Sequence, residues 1–374
     1  MNERDAIVLG ALLHDIGKFV QRADDNPKSQ NHCHWGGDFF QNNFREKLSY
    51  TFSVEELNKI EGAIRNHHDY VEFITLADRL SAGMERIPLD NEEEGDPFTD
   101  RLVSIFSRVS VSDKPKKDKY HKLAFLEKDY LEETFPIDKK KCSNKKYGKL
   151  LTKFSQEIKP MDFASLSRRQ VIEVIYFLLW KYTWCIPSAV YKHEPDISLF
   201  DHLKTTAAIA VCLYDYHKEN INTNLDIETP AFCLVEGDIS GIQSYIFSIL
   251  TQQGKVAKRL RARSLFVQLM SEIAAHKILY EFNLPLCNLI TSAGGNFQLL
   301  IPNLKTTNEK AEKLQKEFDE WTLKELNAEL SINLASIELS GKDLGNFSKV
   351  LEKLKSNLNR KKYQPHKSIL TSSN

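Results

Sequence analysis

Over its first 86 residues the chain sets apolar positions three and four apart, the period of a helix with one buried face. "AIVLGALLHDIGKFVQRA" (6–23), "SVEELNKIEGAIRNHHDY" (53–70) and "EFITLADRLSAGMER" (72–86) each predict a helix. Ser53 stands three residues ahead of Glu56, a capping-box pattern that marks the start of the second. The acidic stretch "LDNEEEGDPFTD" (89–100), with Gly95 and Pro97, interrupts the pattern and predicts a boundary. "SDKPKKDKY" (112–120) and "DKKKCSNKKYGK" (138–149) are rich in lysine and turn formers and predict exposed loops. The helical period returns over 151–222, most strongly in "SLSRRQVIEVIYFLLWKYTW" and "DHLKTTAAIAVCLYDYHKEN". Within the latter, Asp201 predicts a helix cap.

After Pro230 the period shortens. "AFCLVEGDI" is a brief apolar run of the kind that forms a buried strand. "SGIQSYIFSIL" and "RARSLFVQLMSEIAAHKILYEF" predict helices, and "LCNLITSAGGNFQLLIPN" predicts two strands joined at a Gly-Gly turn. A long helix, "NEKAEKLQKEFDEWTLKELN", and a strand, "LSINLASIEL", follow. The order β-α-α-β-β-α-β predicts helices packed on one face of a mostly antiparallel sheet, the ferredoxin-like plan of the α+β class. The boundaries expected are 1–90, 91–222 and 223–374, with no internal repeat.

Composition narrows this only slightly. The 374 residues hold 51 Lys+Arg and 51 Asp+Glu, so any nucleic-acid-binding surface must be a local patch. The run 254–264, with Lys255, Lys258, Arg259, Arg261 and Arg263, is one such patch; a solvated helix face reads the same way. The six cysteines form no C-x-x-C pair, which predicts reduced thiols. The start "MNERDAIVLG" lacks the pattern of a signal peptide, and "VIEVIYFLLWKYTW" (171–184) contains Glu173 and Lys181. A cytoplasmic protein away from membranes is expected.

Histidine placement changes the picture more. Of eleven histidines, five lie in the first 68 residues: His14, His32, His34, His67 and His68. His14 is followed directly by Asp15, and Asp78 lies on the third predicted helix. A divalent metal cluster needs imidazoles and carboxylates gathered from separate helices, and two such ions can activate water for phosphodiester cleavage. Alternatively, His14-Asp15 is an ordinary polar helix end. His32 is expected in a loop. His67 and His68, adjacent on a helix, cannot share a face, and either can be the ligand.

In order along residues 6 to about 303, "LLHDIGKFVQRA", "HH", "ADRLSAGMER", "IPSAVYKHEPDISLFDHLKTTAAIA", "GDISGIQSYIF", "RARSLFVQLM" and "SAGGNFQLLIPN" resemble the large subunit of type III-A CRISPR effector complexes. The resemblance implies an all-α HD phosphohydrolase domain, a helical linker region and a palm domain of the polymerase and cyclase kind. It implies metal-dependent cleavage of single-stranded DNA, with His14 and Asp15 as core ligands of manganese, cobalt or nickel. His67, His68 and Asp78 are implied as further ligands, with His34 at the edge of the site. Beside His14-Asp15, Lys18 is expected to help neutralise the phosphate. It also implies ATP with magnesium between two palms for cyclic oligoadenylate synthesis. Ser292, Gly294, Gly295 and Asn296 of the hairpin are then the nucleotide contacts, while Asp238 is mainly structural. Implied partners are the other effector subunits, guide RNA and target RNA. The Gly-Gly-Asp-Asp hairpin of the family's second palm and its zinc-binding cysteines do not occur in this sequence. Two rivals remain: a stand-alone HD enzyme acting on a small nucleotide, and a non-catalytic scaffold.

Overall fold

The computed structural model describes residues 2–69, 71–85, 95–109, 117–248 and 255–370. The chain forms two compact units, residues 1–211 and 212–374. Residues 110–116 of the expected lysine-rich loop, 89–94 of the expected acidic boundary and Gly254 of the basic run lie outside the described residues.

The first unit is helical. α1 (Asn2–Leu13) carries Leu9, Ala11, Leu12 and Leu13, all fully buried. A turn at residues 14–16 leads to α2 (Gly17–Ala23), and α3 (His32–Phe40) runs on through a π-helical turn, Gln41–Arg45. α4 (Val54–Asn66) and α5 (Ile74–Glu85) complete the first group. α6 (Asn144–Ile158), α7 (Arg168–Thr183) and the start of α8 (Leu199–Glu219) pack into the same unit. An aromatic column binds these helices together: Phe154 of α6 stacks on Phe19 of α2, Phe39 of α3 and Tyr182 of α7, with ring centroids 6.2, 5.5 and 4.9 Å apart. The loop expected over 138–149 gives way to helix from Asn144. Tyr147, Leu150, Phe154 and Ile158 recur at three- and four-residue spacing and are buried, which outweighs the lysines between them.

The capping box expected at α4 is formed: Ser53 Oγ accepts from Glu56 N–H, and Glu56 Oε2 accepts from Ser53 N–H at 2.7 Å. Buried Glu56 also takes both Arg168 guanidinium nitrogens, at 2.5 and 3.0 Å, and so ties α4 to α7. Burial opposes ionisation of this carboxyl, but the bonds from Arg168 and Ser53 overcome it and hold its pKa at about 2. A carboxyl depressed in the fold contributes stability above its unfolded value and loses it on acidification through the folded one. Glu56→Gln is therefore expected to cost roughly 2 kcal/mol near pH 7. The gap should close between about pH 4.5 and 2. Thermal melts of both proteins at pH 7 and pH 3 measure this, and a gap independent of pH would contradict it.

In the second unit, strands β1 (Phe232–Ser240), β2 (Leu289–Ala293), β3 (Asn296–Pro302) and β4 (Ser331–Leu339) form one sheet in the order β2-β3-β1-β4. β1 pairs antiparallel with β3, Phe232 opposite Pro302 and Asp238 opposite Asn296, and antiparallel with β4, Phe232 opposite Leu339. α9 (Ile242–Phe247) and α10 (Val256–Glu281) connect β1 to β2, and α11 (Thr307–Leu326) connects β3 to β4. This is the ferredoxin-like arrangement expected from the sequence. α12 (Phe347–Lys362), outside the expected elements, packs on β4 and β1 through Val350, Leu354 and Leu358.

Candidate metal centre

The turn after α1 places His14 and Asp15 in the interior, 0% and 2% exposed. His14 Nδ1 bonds the carbonyl of Ala11 at 2.8 Å, three residues back. With its proton there, Nε2 presents a lone pair. That atom is buried without a hydrogen bond, 3.6 Å from Asp15 Oδ2 and 3.7 Å from Asp78 Oδ1. His67, just past the end of α4, repeats the device: Nδ1 bonds the carbonyl of Ile64 at 3.0 Å, and Nε2 lies 3.4 Å from Asp15 Oδ1. Because α4 ends at Asn66, the two-face argument does not apply to His67 and His68. Both reach the cluster, His68 Nε2 lying 3.1 Å from His32 Nε2.

Two further histidines enter: His32, expected in a loop, and His202, to which the sequence reading gave no role. His32 opens α3 rather than lying in a loop, because Asn31 caps that helix through His34 N–H. Its Nε2 is 3.1 Å from Asp15 Oδ1. His202 arrives from α8, 187 residues along the chain from Asp15. Its Nε2 lies 3.4 Å from Asp15 Oδ2 and 3.2 Å from Asp78 Oδ1, and its Nδ1 meets Ser81 Oγ at 3.2 Å. Asp78 and Ser81 sit one turn apart on α5, so one helix face supplies both a carboxylate and the hydroxyl that orients the imidazole. The signal for His202 was present in the sequence: it falls among Leu199, Leu203 and Thr206 on the buried face of its helix. The cap of α8 is Ser198, whose hydroxyl accepts from Asp201 N–H at 3.0 Å and donates to Asp201 Oδ2 at 2.7 Å; Asp201 is its reciprocal partner. His34 stands apart from the cluster. It is exposed, its Nδ1 beside the capping Asn31 Oδ1.

The donor set fits divalent metal ions. Asp15 directs one carboxylate oxygen toward His14 and His202 and the other toward His32 and His67. Potential ligand atoms of His14, Asp78 and His202, and those of His32, Cys33, His67 and His68, form compact groups within 4.8 Å. Burial raises the pKa of Asp15, but Lys18, His14, His202 and His32 overcome this and hold it well below the usual carboxylate range. Lys18 pairs directly with Asp15 Oδ2. Asp78 is likewise lowered against burial by bonds from His14 and His202. Burial lowers the pKa of His14. For His67, burial is outweighed by Asp15 and Cys33, which lift it to about 10. Metal binding displaces such protons, so affinity rises with pH.

In the second unit Gly294 and Gly295 turn the β2–β3 hairpin with φ of 63° and 88°, conformations that only glycine adopts freely. A side chain at Gly294 would meet nothing within 4 Å. Ser292 Oγ donates to Glu272 Oε1 and Asn296 Nδ2 to Glu236 Oε1, both at 2.8 Å. Asp238 is paired with Lys362 at 2.8 Å.

Residues 1–83 match the HD domain family, and residues 231–373 match Csm1 subunit domain B. The chain thus combines an HD domain with a domain characteristic of Csm1. Across most of its length it is a homologue of Cas10/Csm1. It is 33% identical over 379 aligned residues to the CRISPR system single-strand-specific deoxyribonuclease Cas10/Csm1 (subtype III-A) of Methanocaldococcus jannaschii, covering 91% of this chain and 46% of that protein. The protein of the same description from Enterococcus italicus is 29% identical, with 96% of this chain and 50% of that protein covered. The chain therefore spans about half the length of these relatives. Among solved structures, the Csm1–Csm4 subcomplex of the type III-A CRISPR-Csm interference complex matches with TM-score 0.73 and 24% identity, covering 98% of this chain and 49% of that one. A Csm1–Csm4 cassette in complex with cA4 matches with TM-score 0.72. These likenesses show the fold.

His202→Ala is expected to weaken divalent-metal binding about 100-fold while the protein stays folded. Metal titrations with circular dichroism as the folding control check it; native affinity in the variant would remove His202 from the site.

Proposed function

We propose that the HD cluster binds two divalent transition ions and hydrolyses phosphodiester bonds in single-stranded DNA. One observation carries the reading. His14, His67 and His202 each have Nδ1 engaged by a carbonyl or hydroxyl and Nε2 turned toward Asp15 or Asp78. Imidazoles oriented in this way are prepared to coordinate metal once their protons are displaced. His14, Asp15, Asp78 and His202 would hold one ion, with His32, His67 and His68 around the other. Manganese, cobalt or nickel suits nitrogen and carboxylate donors. Such ions supply Lewis acidity and bring the pKa of water toward neutrality. Lys18, 19% exposed, would exchange Asp15 for a phosphate oxygen of the bound strand. The names of the curated relatives support the choice of substrate.

The second unit would supply one wall of an ATP–magnesium site. The open backbone at Gly294, in a turn flanked by Ser292 and Asn296, allows the close approach that a nucleotide phosphate needs. No Gly-Gly-Asp-Asp sequence occurs in the chain, so cyclic oligoadenylate synthesis would require a second palm. The neighbouring Csm1–Csm4 structures support an assembly with other Csm subunits, and guide and target RNA complete the proposed set of partners. No described helix is long and apolar enough to cross a membrane.

The test is cleavage of labelled single-stranded DNA with manganese, comparing the native chain with His14→Ala/Asp15→Ala, in the presence of guide RNA, target RNA and partner subunits. Cleavage by the native chain alone supports the reading. Equal cleavage by both, or by neither, overturns it.

A further inference from the structure

His32 and Cys33 begin α3, and with His67 and His68 they form a group that contains sulfur. Cys33 is 3% exposed. Its Sγ lies 3.7 Å from His32 Nε2 and 3.9 Å from each ring nitrogen of His67. His68 Nε2 is 3.1 Å from His32 Nε2. Ligand atoms around a tetrahedral ion, with bonds of about 2.3 Å to sulfur and 2.0–2.1 Å to nitrogen, stand roughly 3.3–3.6 Å apart. The separations of 3.1–3.9 Å bracket that range, and all four ligand atoms lie within 4.8 Å of one another, so small side-chain shifts would bring one sulfur and three nitrogens around a single ion. Cys33 is also the second residue of a helix capped by Asn31, and unbonded amides at a helix start favour a thiolate. None of the other described cysteines belongs to such a group.

We propose that Cys33 is a metal ligand and that the two metal positions beside Asp15 are chemically unequal. The first, from His14, Asp78 and His202 at Asp15 Oδ2, is rich in oxygen and nitrogen. The second, from His32, Cys33, His67 and His68 at Asp15 Oδ1, is a sulfur–nitrogen site suited to a thiophilic ion such as zinc or cobalt. This rests on the reading of the Asp15 cluster as a metal centre and adds a ligand that fixes which ion the second position prefers.

Cobalt(II) titration of the full chain tests it, read by thiolate-to-cobalt charge-transfer absorption in the near ultraviolet and by bound stoichiometry. The native chain should take up two equivalents with the sulfur band. Cys33→Ser should lose the band and bind one equivalent at least about tenfold more weakly. His68→Ala, at an exposed position that leaves the core untouched, should weaken the same equivalent and retain the band. Two equivalents without a sulfur band, or an unchanged band in Cys33→Ser, overturn the inference and leave the nuclease reading standing. A sulfur band without DNA cleavage upholds the inference and defeats the nuclease reading. No cobalt uptake at all defeats both.

Discussion

Asp15→Asn is expected to lower single-stranded DNA cleavage by about a thousand-fold. Among the described residues, Asp15 is the carboxylate that faces both ligand groups: Oδ2 stands 3.4 Å from His202 Nε2, and Oδ1 stands 3.1 Å from His32 Nε2. Asparagine keeps the shape, so helix packing is preserved. It removes the charge and turns an amide N–H₂ toward imidazole nitrogens where a cation must sit. Both ions are therefore lost together, whereas His202→Ala affects one. Cleavage rates and bound metal, measured on the same preparation, should fall in parallel. A variant that keeps its metal but not its activity would make Asp15 a group acting on the DNA itself, and native activity would place the metals elsewhere.

Gly17→Ala is expected to destabilise the first unit by about 3 kcal/mol, a fall of roughly 10 °C in Tm, and to abolish cleavage with it. A Cβ at Gly17 would fall 1.7 Å from the carbonyl oxygen of His32 and 2.6 Å from the amide nitrogen of Gly36. Both are backbone atoms that cannot swing aside, so α3 must move as a body and carry His32 and Cys33 away from Asp15. Gly62 on α4 is the contrasting position, because a Cβ there meets nothing within 4 Å. Gly62→Ala should raise stability by about 0.5–1 kcal/mol through its effect on helix propensity. Thermal melts of the two variants against the native chain decide the matter; a Gly17→Ala protein that melts with the native chain would mean that the two helices separate at little cost.

The legible parts of this molecule were those written in local pattern. Strands β1 to β4 and the hairpin at Gly294-Gly295 followed from apolar runs separated by turn residues. The Ser53–Glu56 box followed from two residues three apart. His14 and Asp15 stood out because they are neighbours, and the pair His67-His68 because it is a doublet. His202 did not stand out, since a ligand far along the chain reaches its partners only through tertiary packing. His32 was hidden by a loop reading of the segment before α3, although Asn31 directly ahead of it is a recognisable N-cap. The helix at Asn144 was masked by lysines, which its buried aromatic stripe outweighs.

The bonds from His14 Nδ1 to Ala11 and from His67 Nδ1 to Ile64 each span only three residues. Each imidazole is therefore aimed by the helix turn that bears it, before any ion arrives. Such a centre differs from a metal finger, in which the ion itself organises the chain. Ion exchange and unfolding would then be separate events, and ions could leave and return without placing the architecture at risk.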